Sequence, residues 1–154
     1  MNYNYPSVST IIRDTTVIMQ MEKAWETMLQ AKSSASGIEC GFYIYYNQDS
    51  KHFYVGNIVE KKLTRGFQGT NNSVPLDMIS SKDDCCAFFH CHMNLEYCPD
   101  TDSRQTGPSI SDIDYAASRR LPGILYDYSR ERITGGHSKG DEYKVYTFGP
   151  DKRS

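Results

Sequence analysis

The sequence predicts a single α/β domain, and three observations carry that prediction. An amphipathic helical segment near the N-terminus is followed by two runs of β-branched and aromatic residues separated by a turn. Further along, a short apolar strand, a helix and two more strands follow, so the pattern is helix, hairpin, strand, helix, strands. Finally, 154 residues with 38% hydrophobic content supply one core and leave little room for a second. Residues 1–154 therefore read as one domain, with its core over about 16–150.

Each element has its own signal. Over 16–32, Ile18, Met21, Trp25, Met28 and Leu29 recur at helical spacing, with Glu22 and Glu26 between them as a polar face. Residues 33–37 are small and break that helix, and 38–46 then run β-branched and aromatic up to a turn at 47–50. The strand pattern resumes over 52–59, which makes the two runs an antiparallel hairpin. Residues 64–73, rich in Gly, Asn and Thr, read as a loop, with a short helix at 75–80 beyond it. A strand at 87–92, a helix at 109–120 and strands at 123–128 and 143–148 complete the expectation. Residues 93–108 form the one long irregular stretch, and such loops in compact domains are usually functional or disordered. The sequence contains no internal repeat and no heptad run.

Composition narrows the function classes. Lys and Arg total 17 against 19 for Asp and Glu, and a net charge of -2 leaves no electrostatic footprint for a phosphate backbone. Nucleic acid is not an expected partner. No basic region with an apolar run opens the chain, and no stretch is long and apolar enough to cross a bilayer, so the expectation is a cytoplasmic protein without a membrane partner. Five cysteines, Cys40, Cys85, Cys86, Cys91 and Cys98, lack two spaced Cys-x-x-Cys knuckles and read as reduced, mostly buried thiols. A zinc deaminase would need His-x-Glu with Pro-Cys-x-x-Cys, and neither is present. His52 and His137 stand where exposed histidines are common and receive no role, and the 12 tyrosines are expected to pack one edge of the sheet.

The strongest chemical signal is the pair His90 and His92. Residues two apart on a strand share a face and can bind one metal ion together, while Cys91 faces the other way. Taken alone, the pair fits a structural reading better. Gly107 and Pro108 precede Ser109, and Ser109 with Asp112 makes a helix start in which a hydroxyl caps the first turn and a carboxylate sits three residues on. A plain capping box explains this, and so does a third zinc ligand held rigidly in a first helical turn.

These residues resemble the signature of the JAMM (MPN, or JAB) zinc metalloproteases. The run His90, Cys91, His92, followed by Ser109, Ile110, Ser111, Asp112 and Ile113, is similar to that family's His-x-His and Ser-x-x-Asp. Ile38, Glu39, Cys40, Gly41 and Phe42 resemble its early glutamate ahead of a glycine and an apolar strand. The resemblance covers most of 16–150 and the order of elements agrees; 121–128 and 143–148 look like the strands that follow the metal site in bacterial members. Two departures stand out: Met93 occupies a position where the family usually has proline, and 93–108 is longer than the usual connection, an insertion loop. A second Ser-x-x-Asp, Ser111 with Asp114, competes with Ser109 and Asp112, and Pro108 favours the first as the helix start.

The resemblance implies a three-layer, cytidine deaminase-like fold with a mixed central sheet flanked by helices. It implies zinc (Zn2+) held by His90, His92 and Asp112, Glu39 as general base, and Ser109 donating to the oxyanion. The implied reaction is hydrolysis of a peptide or isopeptide bond in a peptide or protein substrate, such as a ubiquitin-like or sulfur-carrier tail or a cell-wall peptide. The alternative is a non-catalytic MPN-like protein interaction module, a class that typically lacks one or more of the five residues present here.

Overall fold

A short helix, α1 (Val8–Ile11), and a long one, α2 (Thr15–Ala31), open the chain, each started by a side-chain cap. Ser7 accepts from the Thr10 amide, and Asp14 Oδ2 accepts from the Val17 amide at 3.1 Å. The computed structural model describes residues 3–31, 36–64, 82–92, 103–129, 132–134 and 142–154. Beyond the helices lie β1 (Ser36–Asn47), β2 (His52–Val55), β3 (Val59–Thr64), β4 (Cys85–Cys91) and β5 (Ser103–Gln105). Helix α3 (Ile110–Arg119), β6 (Gly123–Tyr128), β7 (Arg132–Thr134) and β8 (Tyr143–Phe148) follow.

Six strands form one mixed sheet in the order β2-β1-β4-β6-β8, with β3 pairing β1 beside β2. The 12 residues of β1 serve two short partners on one edge, β3 along its first half and β2 along its second, and β4 on the other edge. Strands β4 and β6 are parallel and joined through α3; β6 and β8 are antiparallel. Strands β5 and β7 make a separate two-stranded ribbon.

Alternation along the strands divides the core between two faces. Cys40, Phe42, Ile44, Phe89, Cys91, Ile124, Tyr126 and Tyr128 pack against Ile11, Val17, Met21, Trp25 and Met28 of the N-terminal helices. Tyr43, Tyr45, Cys85 and Phe88 face the other way, beneath Ala116 of α3 and Leu121. Helix, sheet and helix therefore lie in layers, a mixed α/β architecture around one domain. Among the described residues no helix is long and apolar enough to cross a membrane.

Several expectations change in detail. The strand expected over 52–59 divides into β2 and β3, because the Gly56 amide turns to the Tyr43 carbonyl at 2.9 Å and the chain then shifts to the other half of β1. Within the irregular 93–108 stretch, 103–105 is a strand, stabilised by pairing with β7. Packing extends past both limits of 16–150: Ile11 is fully buried, and the Arg153 guanidinium donates to the carbonyls of Lys82, Asp83 and Cys85. Tyrosines are core residues rather than edge residues alone, since Tyr45, Tyr126 and Tyr128 are buried. The loop expected after residue 64, the helix at 75–80, His137 and Cys98 lie outside the described residues.

Gly123 shows how β6 and β8 fit together. It pairs with Phe148, whose ring covers it; a Cβ at Gly123 would stand 2.3 Å from that ring. The ring is held in turn by edge contacts with Phe88 and His90, at centroid distances of 5.7 and 6.1 Å. Gly123→Ala is therefore expected to cost about 1–3 kcal/mol through overpacking, measured as a lower midpoint in urea.

Candidate metal centre

Parallel strands β4 and β6 end on the same side of the sheet, and α3 begins there, so the crossover connection delivers a helix N-terminus to the carboxyl ends of two strands. His90 and His92 occupy the end of β4 on the α3 face. His92 is locked into the ladder by its amide, which donates to the Tyr126 carbonyl at 3.0 Å. On the other side, the antiparallel register pairs Gly41 with His90 and Cys40 with Cys91. One step further along that register, Glu39 faces His92. Gly41, directly across from His90, brings no side chain to the crowded face.

Ser109 is the N-cap of α3, and its hydroxyl accepts from the Asp112 amide at 3.1 Å while Asp112 Oδ2 accepts from the Ser109 amide at 2.8 Å. This reciprocal capping box fixes the Asp112 carboxylate toward the sheet. Asp112 Oδ1 lies 3.0 Å from His90 Nε2, Oδ2 lies 3.2 Å from His92 Nε2, and the two Nε2 atoms are 3.2 Å apart. Asp114, in the competing motif, is exposed on α3. The structure thus brings His90, His92 and Asp112 to one point, with Ser109 at the helix start beside them.

Glu39 belongs to the same place. It is 2% exposed, and one ligand atom from each of Glu39, His90 and His92 lies within 4.8 Å of the others, a buried group able to hold a metal ion. Burial pushes the Asp112 carboxyl up, but the neighbouring His90 and His92 outweigh that and hold it well below the usual carboxylate range. Two imidazoles and a carboxylate are a donor set that first-row divalent ions take, zinc among them. With bonds near 2.0–2.1 Å, the edge of a tetrahedron of zinc ligands is about 3.3 Å. The two Nε2 atoms, 3.2 Å apart, sit just inside that edge, and Asp112 approaches each through a different oxygen, Oδ1 to His90 and Oδ2 to His92.

One residue of the site has no counterpart in the sequence reading. Asp127 is fully buried in β6, and its Oδ2 is 3.1 Å from His92 Nδ1 and accepts from the Gly107 amide at 3.0 Å. Its Oδ1 accepts from the Tyr128 amide at 2.7 Å. The available signal was an acid within the otherwise apolar run Gly123–Tyr128. Other candidates recede. Cys40, Cys85, Cys86 and Cys91 are buried free thiols, and burial pushes Cys85 up to about 11 and raises Cys86 and Cys91, against any role as an activated nucleophile. His52 is exposed at the start of β2.

The chain matches no model of a known protein family, no curated protein and no solved structure.

Proposed function

We propose that the chain is a zinc-dependent hydrolase of JAMM type, with the fold that resemblance implies, cleaving a peptide or isopeptide amide in a peptide or protein substrate. The observation that carries this reading is the convergence of His90, His92 and Asp112 within 3.0–3.2 Å, with buried Glu39 next to them. When bound, zinc supplies the Lewis acidity that lowers the pKa of water to about 7 and polarises the amide carbonyl. His90, His92 and Asp112 hold the ion. Glu39 accepts a proton from the attacking water and returns it to the leaving amine, so water and amide become acid and amine with no net proton change. Ser109 uses a lone pair to accept the Asp112 amide, which leaves its O–H to donate to the oxygen that gains charge. Beside His90, the buried Phe88 ring stacks on the imidazole and the half-buried Phe148 ring meets it edge-on, an apolar wall on one side of the site.

The grouping of Glu39 with both histidines also supports a second reading, a non-catalytic interaction module in which Glu39 is itself a ligand and closes the site. Elemental analysis of untagged protein tests the shared premise. Near-stoichiometric zinc is expected in the wild type, and His92→Ala and Asp112→Ala are expected to lose it while keeping the wild-type circular dichroism. A wild type that neither carries zinc nor takes it up when supplied would sink the hydrolase and the closed metal site, and leave the chain as a metal-free binding domain.

A further inference from the structure

We propose that Asp127 is the positioning residue of this site, selecting the tautomer of His92 and tying the entry of α3 to the strand end where the histidines stand. The inference rests on the metal-site reading above, and it concerns a residue that does not itself reach the proposed ligand atoms. Asp127 presents both oxygens to N–H donors: the Tyr128 amide on Oδ1, and the Gly107 amide and His92 Nδ1 on Oδ2. A carboxylate only accepts, and Asp112 Oδ2 stands 3.2 Å from His92 Nε2 much as Asp127 Oδ2 stands 3.1 Å from Nδ1; with an ion taking up Asp112, Nδ1 carries the hydrogen toward Asp127 and the Nε2 lone pair is left for the ion. The opposite tautomer would set an N–H where the ligand lone pair is needed, and would leave Asp127 facing a second acceptor.

Gly107 supplies the other half of the argument. It stands two residues before the α3 cap, and its φ of +111° aims its amide at Asp127 in a conformation that suits glycine. The Tyr146 ring lies 3.4 Å from where a Cβ would project, so the backbone is also confined from the outside. One buried carboxylate thus touches a histidine from the strand and the chain that leads to Ser109 and Asp112. If it moves, ligands from two elements lose their common reference.

Asparagine at 127 cannot serve all three donors, because its amide nitrogen would face one of them. In the full chain, Asp127→Asn is expected to weaken zinc binding about 10- to 100-fold in chelator competition, the size typical for partners that orient a ligand histidine. Unchanged affinity in a folded variant would overturn the proposal. A second measurement leaves Asp127 in place: 15N NMR of histidine-labelled, metal-stripped Asp112→Ala protein, which removes the carboxylate facing Nε2, at a pH where the ring is neutral. His92 is expected as the Nδ1–H tautomer, and an Nε2–H tautomer would overturn the proposal even if Asp127→Asn fails to fold. Because it requires no ion, this measurement still decides the role of Asp127 if the wild type proves unable to bind zinc.

Discussion

Glu39→Gln is expected to reduce amide hydrolysis by about 100- to 10,000-fold while zinc content stays at the wild-type level. The substitution keeps the size of the side chain and its place on β1 opposite His92, but glutamine does not accept a proton from water at neutral pH. The loss should fall on kcat, with KM little changed, because the proton transfer belongs to the transition state rather than to substrate binding. Paired kinetics and elemental analysis check both halves. Should zinc leave together with activity, Glu39 is a ligand, and the closed-site reading takes over.

Trp25→Ala carries the largest expected effect on stability, about 3–5 kcal/mol. Trp25 is 2% exposed at the centre of the α2 face, with Tyr128, Tyr143 and Tyr126 meeting its ring edge-on at 5.1, 5.8 and 6.5 Å. Deleting it opens a cavity between α2 and β6 that these rigid rings cannot collapse to fill. Chemical denaturation followed by far-UV circular dichroism would measure the change. A cost below 1 kcal/mol would mean that α2 contributes far less to the core than its buried residues indicate. The histidine site lies on the opposite face of the sheet, so a folded Trp25→Ala protein should still bind the ion.

What the sequence revealed follows from how local each signal is. The 16–32 periodicity emerges as Thr15–Ala31, and 123–128 and 143–148 emerge as β6 and β8, because apolar spacing and β-branched runs act within a few residues. The pairing of His90 with His92 was equally legible, since strand alternation alone puts both on one face. The capping role of Ser109 was readable from Pro108 and from the acid three residues on. The passage from β2 to β3 was not, since Val59–Thr64 is charged and belongs to the sheet only through its pairing with the first half of β1. The acid in the apolar run Gly123–Tyr128 marked Asp127, but its role was not readable, because two of its partners, His92 and Gly107, lie 35 and 20 residues away in the chain. Local pattern finds elements; distant hydrogen bonds decide which polar residues are built into them.

The capping box of α3 has a thermodynamic corollary. Asp112 Oδ2 both closes the cap on the Ser109 amide and approaches His92 Nε2. An oxygen shared in this way makes helix initiation and ion capture linked equilibria, and linkage is reciprocal. Whatever holds the carboxylate against the strand steadies the first turn of α3, and whatever frays that turn weakens the hold on the ion by the same free energy. A substitution at Ser109, formally a change in helix capping, thereby becomes a way to tune affinity without touching a ligand.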